Sequence, residues 1–211
     1  VPPRGYLAEC RRIADACGAL LVFDEVQTGL GRTCMLFAYE HEGVAPDVMT
    51  LAKGLGAGVP LGAMVTTNDV GKSLEYGTHA TTFGGNPMAC AAGNIVLDVM
   101  MERGFLERVG AMGERLQAGL RDIVGRTQVF SDVRGRGLLV GAELDPRVAF
   151  TAADVVRETR AERVLIHLAG PRVVRLAPPL IVDASAVDEA ISALGRAVAR
   201  LLEGGASGAR V

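Results

Sequence analysis

The chain has 211 residues, 49% of them hydrophobic and 22% charged, with a formal net charge of −2. That length supports a substantial core in one or two domains, and the composition reads as soluble and globular. Arginines such as Arg11, Arg12 and Arg32 are interspersed with acids and leave no basic footprint for nucleic acid, and no apolar run is long enough to span a bilayer.

No signal-peptide pattern opens the sequence, so the cytoplasm is the expected location, and the start on Val1 reads as a fragment or a processed piece. Cys10, Cys17, Cys34 and Cys90 form no Cys-x-x-Cys pair and have no histidine at ligand spacing, so no metal is expected and buried thiols are.

In chain order, Leu7, Cys10, Ile13, Ala14 and Cys17 recur at helical spacing, which predicts a helix over 6–17 stopped by Gly18. Leu20 to Gln27 reads as a buried strand that delivers Asp24, Glu25 and Gln27 at its end. Residues 28–43 read as a glycine-punctuated loop with a short helical piece. Val48 to Leu51 and Ala63 to Thr67 read as further strands of a sheet covered on both faces. Residues 77–87, rich in Thr, Gly and His, are too polar for an element interior.

From Pro87 a helical pattern runs past a break near Gly104 to Leu120, which reads as one long helix leaving one domain and entering another. Val129 to Leu144 alternates like strands around Gly135 and Gly137. Residues 152–162 predict an amphipathic helix, Val173 to Leu176 a strand, and residues 184–202 a closing helix striped by Val187, Ile191, Leu194 and Val198. The tail from Gly204 is expected to fray. The expected domains are 1–100 and a smaller α+β unit over 101–211.

The sequence contains two lysines, Lys53 and Lys72. Lys53 ends the apolar run from Val48 and precedes Gly54, Gly56 and Gly58, where backbone can approach a bulky ligand. A partly desolvated lysine there can become the neutral amine that forms a Schiff base with an aldehyde. Asp24, expected to be buried on the same sheet edge, suits a protonated pyridine nitrogen, so the pair suits pyridoxal phosphate. Asp24 read alone is equally a strand-end acid capping the next loop. Thr81 and Thr82 beside Gly84 and Gly85 can hold a phosphate or form an ordinary polar turn. Arg175 offers a planar guanidinium for a carboxylate, or a salt bridge on a strand face. His79 and His167 have no assigned role.

The run Phe23-Asp-Glu-Val-Gln-Thr-Gly-Leu-Gly-Arg32, with Pro46-Asp47, Ala52-Lys-Gly54, Pro60-Leu-Gly-Ala63 and Thr81-Thr-Phe-Gly-Gly-Asn-Pro87, resembles the class III aminotransferases. Leu36-Phe-Ala-Tyr39 and Gly77-Thr-His79 resemble the acetylornithine branch. The resemblance continues through Arg136-Gly-Leu-Leu139 and Arg175-Leu-Ala-Pro-Pro179 and corresponds to the later part of a family chain. It implies an α/β fold: an incomplete large domain of the type I pyridoxal-phosphate transferases, mostly parallel with helices on both faces, followed by a small α+β domain.

It also implies transamination of N-acetylornithine with 2-oxoglutarate, Lys53 as the imine-forming residue and proton carrier, and Asp24 at the ring nitrogen. By the same resemblance Gln27 lies near the phenolic oxygen, Thr82 donates to the phosphate across a homodimer interface, Thr81 lies near the substrate, and Arg175 binds its α-carboxylate. Ornithine, succinylornithine or succinyldiaminopimelate as donor, or a non-catalytic remnant, are the alternatives. A nucleotide hydrolase is a further reading, since Leu20 to Glu25 fits a Walker B strand and Gly71-Lys72-Ser73 ends like a P-loop. It fails because Thr66 stands where the first glycine is required, and because the loop follows the acidic strand.

Overall fold

The structure, a computed structural model, describes residues 1–207, with side chains through residue 204. The chain divides into two compact units, Pro2–Glu107 and the part from Arg108 onward.

In the first unit, helix α1 (Tyr6–Cys17) ends at Gly18 in the left-handed conformation. Strands β1 (Val22–Asp24), β2 (Val48–Leu51) and β3 (Ala63–Thr66) form a sheet in that order, with β1 parallel and β3 antiparallel to β2. The expectation of a mostly parallel sheet is thus corrected to a mixed one. The expectation of cover on both faces also fails, since Val22, Met64 and Val65 are 54%, 52% and 48% exposed. β1 is shorter than the Leu20–Gln27 run, because the backbone leaves the ladder at Glu25 and turns through Gly29, whose N–H donates to the Glu25 carbonyl.

Asp47 ties these elements at one end. Its carboxylate accepts from Arg11 of α1 and from the Leu21 N–H, each at 2.7 Å, and its carbonyl accepts from the Thr66 hydroxyl at 3.1 Å. A short helix α2 (Asn68–Gly71) follows β3, and Lys72 pairs with Asp69 at 2.6 Å. Helix α3 (Pro87–Met101) begins where the Asn86 side chain accepts the N–H groups of Met88 and Ala89, and Pro87 supplies a pre-set first position. The expected single long helix is two. Gly104, at φ +86°, turns the chain between α3 and α4 (Phe105–Thr127), a conformation that a residue with a Cβ resists.

The unit from Arg108 is built on strands β4 (Phe130–Arg136), β5 (Leu139–Leu144), β6 (His167–Leu168) and β7 (Val173–Leu176), antiparallel throughout in the order β4-β5-β7-β6. Helix α5 (Ala152–Ala161) carries a reciprocal Thr151–Asp154 cap and packs with α6 (Ala184–Ser207). Arg196 and Arg200 of α6 both pair with Glu162. Leu116, Leu120 and Ile123 of α4, Val140 and Val174 of the sheet, and Leu194 and Val198 of α6 are all essentially inaccessible and form the core. α6 continues through Gly204 to Ser207, so fraying is not seen there, and residues 208–211 lie outside the described part.

The cysteines are free but not buried as expected. Cys17 and Cys90 are exposed, Cys10 is half-buried on α1, and Cys34 is half-buried in the loop between β1 and β2. Among the described residues no helix is long and apolar enough to cross a membrane, and no group of His, Cys, Asp or Glu could hold a metal.

Candidate active site

The parallel register Asp24↔Thr50 places the C-terminal ends of β1 and β2 side by side, with Lys53 three residues beyond Thr50. This is the edge of an open α/β sheet where ligands bind, because both strands hand over to loops there. The Asp24 carboxylate accepts from the Val26 N–H at 2.9 Å and from the Thr50 hydroxyl at 3.4 Å, which fixes its orientation past the strand end.

Asp24 is exposed, contrary to the buried position expected from four preceding apolar residues. The reason is topological: β1 is an edge strand of the described sheet and nothing flanks it on that side. The buried acid is its neighbour. Glu25, 3% exposed, accepts from the Tyr39 N–H at 3.0 Å and from the Thr28 hydroxyl, and so holds the loop that carries Gln27. Gln27 itself is half-buried.

Lys53 opens a 3-10 turn (Lys53–Gly56) with φ +47°, a left-handed backbone on a non-glycine residue. Such conformations cost on the order of 1–3 kcal/mol and persist where the surroundings impose them, commonly at functional sites. The partly desolvated lysine expected from the sequence is exposed, since the turn carries it beyond the end of β2.

Thr81 and Thr82 lie in an exposed bend, and no hydrogen bond among the described residues joins either to Asp24 or Lys53. Gly84 folds back on Thr81 so closely that a Cβ there would meet the Thr81 methyl at 2.0 Å. Arg175 belongs to the other unit. It stands on β7 opposite Gly141, makes no ion pair among the described residues, and its buried Nε has no hydrogen-bond partner.

Sequence reasoning named these positions but missed three features. They are the Thr50 hydroxyl beside Asp24, the left-handed turn at Lys53, and the cleft at Arg175. The first depends on strand register, the second on a backbone torsion, and the third on a two-residue strand, none of which leaves a local pattern.

An exposed lysine and an oriented carboxylate thus stand at adjacent strand ends of the sheet. The family model for aminotransferase class-III matches residues 1–198, and the chain belongs to that family. It is 46% identical to the acetylornithine aminotransferase of Pseudomonas putida over 95% of this chain and 50% of that protein. It is 45% identical to the succinylornithine transaminase/acetylornithine aminotransferase of Pseudomonas aeruginosa, with the same coverage of 95% and 50%. The crystal structure of N-acetylornithine aminotransferase from Stenotrophomonas maltophilia K279a superposes with a TM-score of 0.88 at 35% identity, covering 96% of this chain and 53% of that one. The chain thus spans about half the length of the curated relatives it matches.

Proposed function

We propose that this chain carries the catalytic lysine of a pyridoxal-phosphate-dependent aminotransferase that moves an amino group from N-acetylornithine to 2-oxoglutarate. The observation that carries this reading is the Asp24↔Thr50 register, which sets the carboxylate and the Lys53 strand end side by side. The similarity to acetylornithine aminotransferases supports the donor.

The residues present fit the cofactor: an amine with no ion pair among the described residues, a carboxylate already oriented by Val26 and Thr50, and hydroxyls in a tight glycine bend. When bound, pyridoxal phosphate supplies an aldehyde carbon for amine exchange and a ring that delocalises negative charge. Asp24 holds the proton on the ring nitrogen, since an adjacent anion favours the protonated ring. Lys53 is the residue that would hold the aldehyde carbon, and once the incoming substrate amine has released it, its neutral Nζ would accept the proton from the substrate carbon that bears the reacting amine. Gln27 would lie near the phenolic oxygen, Thr82 would bind the phosphate of a neighbouring subunit in a homodimer, Thr81 would adjoin the substrate, and Arg175 would bind its α-carboxylate through a two-pronged guanidinium contact. The division 1–100 and 101–211 is the proposed domain arrangement, and the cytoplasm the proposed location.

The test is a chimaera in which this chain replaces the corresponding half of the Pseudomonas putida relative. N-acetylornithine and 2-oxoglutarate should yield glutamate, and Lys53→Ala should lower the rate by about 10²–10⁴-fold, the range for loss of a positioned acid–base group. An active chimaera unaffected by Lys53→Ala refutes the assignment. Succinylornithine is the second donor to assay, because the Pseudomonas aeruginosa relative bears both activities in its name.

A further inference from the structure

Arg175 and His167 are direct partners across the antiparallel β7–β6 pair. Opposite residues of such a pair project from the same face with Cβ atoms about 4.5–5.5 Å apart. On the other flank of Arg175 stands Gly141, which has no side chain to cover the guanidinium. The acid one pair along that face, Glu143, is held by Arg134 at 2.6 Å. Arg175 is therefore left without an acid of its own among the described residues, and its buried Nε lacks any partner.

Both Arg175 and His167 line a cleft of about 260 Å³ whose remaining wall is largely aliphatic, with Leu165, Pro178, Val182 and Val187. His167 is exposed and makes no hydrogen bond among the described residues. A cleft with a cation and a second N–H donor at one place and aliphatic walls around them suits an aliphatic carboxylate.

We infer that His167 is a second substrate contact, its imidazole N–H donating to the carboxylate that Arg175 holds. The inference rests on the proposed role of Arg175. The contact is one both tautomers can make, since each carries an N–H. It narrows the accepted substrates to those whose carboxylate sits at the β6 edge while the aliphatic chain lies along Leu165 and Val182. A substrate with a carboxamide there would place an NH₂ group, or a weaker acceptor, against two donors.

The test uses the 211-residue chain labelled for NMR, titrated with millimolar N-acetylornithine and, separately, with its carboxamide. The three histidines, His41, His79 and His167, are assigned by single substitution. With N-acetylornithine, the His167 ring signal and the Arg175 Nε–H signal should move along one saturable curve. His41 and His79 should stay in place, and the carboxamide should move neither group. His167→Ala should weaken binding about tenfold, the scale of one hydrogen bond to a charged partner, while His167→Asn, which keeps an N–H, should recover part of the loss. Movement of Arg175 with His167 unmoved overturns this inference and leaves the carboxylate seat standing. If neither signal moves, the Arg175 assignment fails and takes the inference with it.

Discussion

Lys53 occupies a backbone conformation that glycine would adopt at less cost. The same left-handed backbone occurs at Leu30, Cys34, Ala57, Gln128 and Arg163, so the role proposed for the Lys53 amine is tested by chemistry. Borohydride reduction after incubation with pyridoxal phosphate should leave the pyridoxyl mass on the peptide containing Lys53. Mass on the Lys72 peptide, or on neither, overturns the assignment. Asp24→Asn keeps an acceptor for Val26 and Thr50, so the chimaera should fold as before while its turnover falls strongly, because the missing charge matters most as negative charge develops on the ring. Unchanged turnover in a folded variant refutes the role. Both residues were legible in the sequence, since each ends an apolar strand pattern. Their exposure was not. Burial depends on what lies beside a strand, and Val-Phe-Asp reads the same at a sheet edge as at its centre.

Elements with a clear helical period were the readable ones: α1 with its stop at Gly18, α3 from Pro87, and α5. The helix break at Gly104 was visible as a weak point, but apolar residues continue on both sides, so the pattern alone ran through it. β6 has two residues and no alternation to detect, yet it brings His167 beside Arg175. The packing of α4 onto the β4–β5 turn is equally silent in sequence. A Cβ on Gly113 would lie 2.3 Å from the Gly137 carbonyl oxygen, so Gly113→Ala forces backbone apart. Despite the better helix propensity of alanine, the substitution should destabilise the chain by about 1–3 kcal/mol, the usual cost of overpacking. Chemical denaturation checks it, and a neutral or stabilising result means that the turn yields easily.

Taken whole, the chain leaves much apolar surface in water: Phe83 is 83% exposed, Met88 70% and Ile95 64%, besides the open strand β1. Exposed patches and unpaired strand edges recruit partners. The 211-residue chain alone should therefore self-associate, and light scattering at rising concentration should show it; a monomer at high concentration refutes this. Its affinity for pyridoxal phosphate should be weak, readable by titrating absorbance, because the chain spans about half the length of its relatives and the Thr81–Thr82 bend proposed for the phosphate is exposed. Acid should weaken the fold through Asp145, whose carboxyl is held down from 3.8 to about 2, first by the Arg147 side chain and then by the Arg147 N–H. A depressed carboxyl contributes stability above its ordinary value and loses it as pH falls toward the folded one. Melting temperature should drop across that window, and Asp145→Asn should flatten the drop modestly, since the Arg147 partner is exposed.

The Asp47 node lies at the opposite end of β1 and β2 from Lys53. There one residue joins α1, the residue before β1, and β3 through its carboxylate and carbonyl, while at the lysine end the side-chain tie is the longer Thr50–Asp24 hydrogen bond. The Asp47 fastening and the chemistry proposed for Lys53 thus lie at opposite termini of the same short ladder. Changes near Lys53 can therefore alter the chemistry proposed there while the Asp47 fastening stays in place.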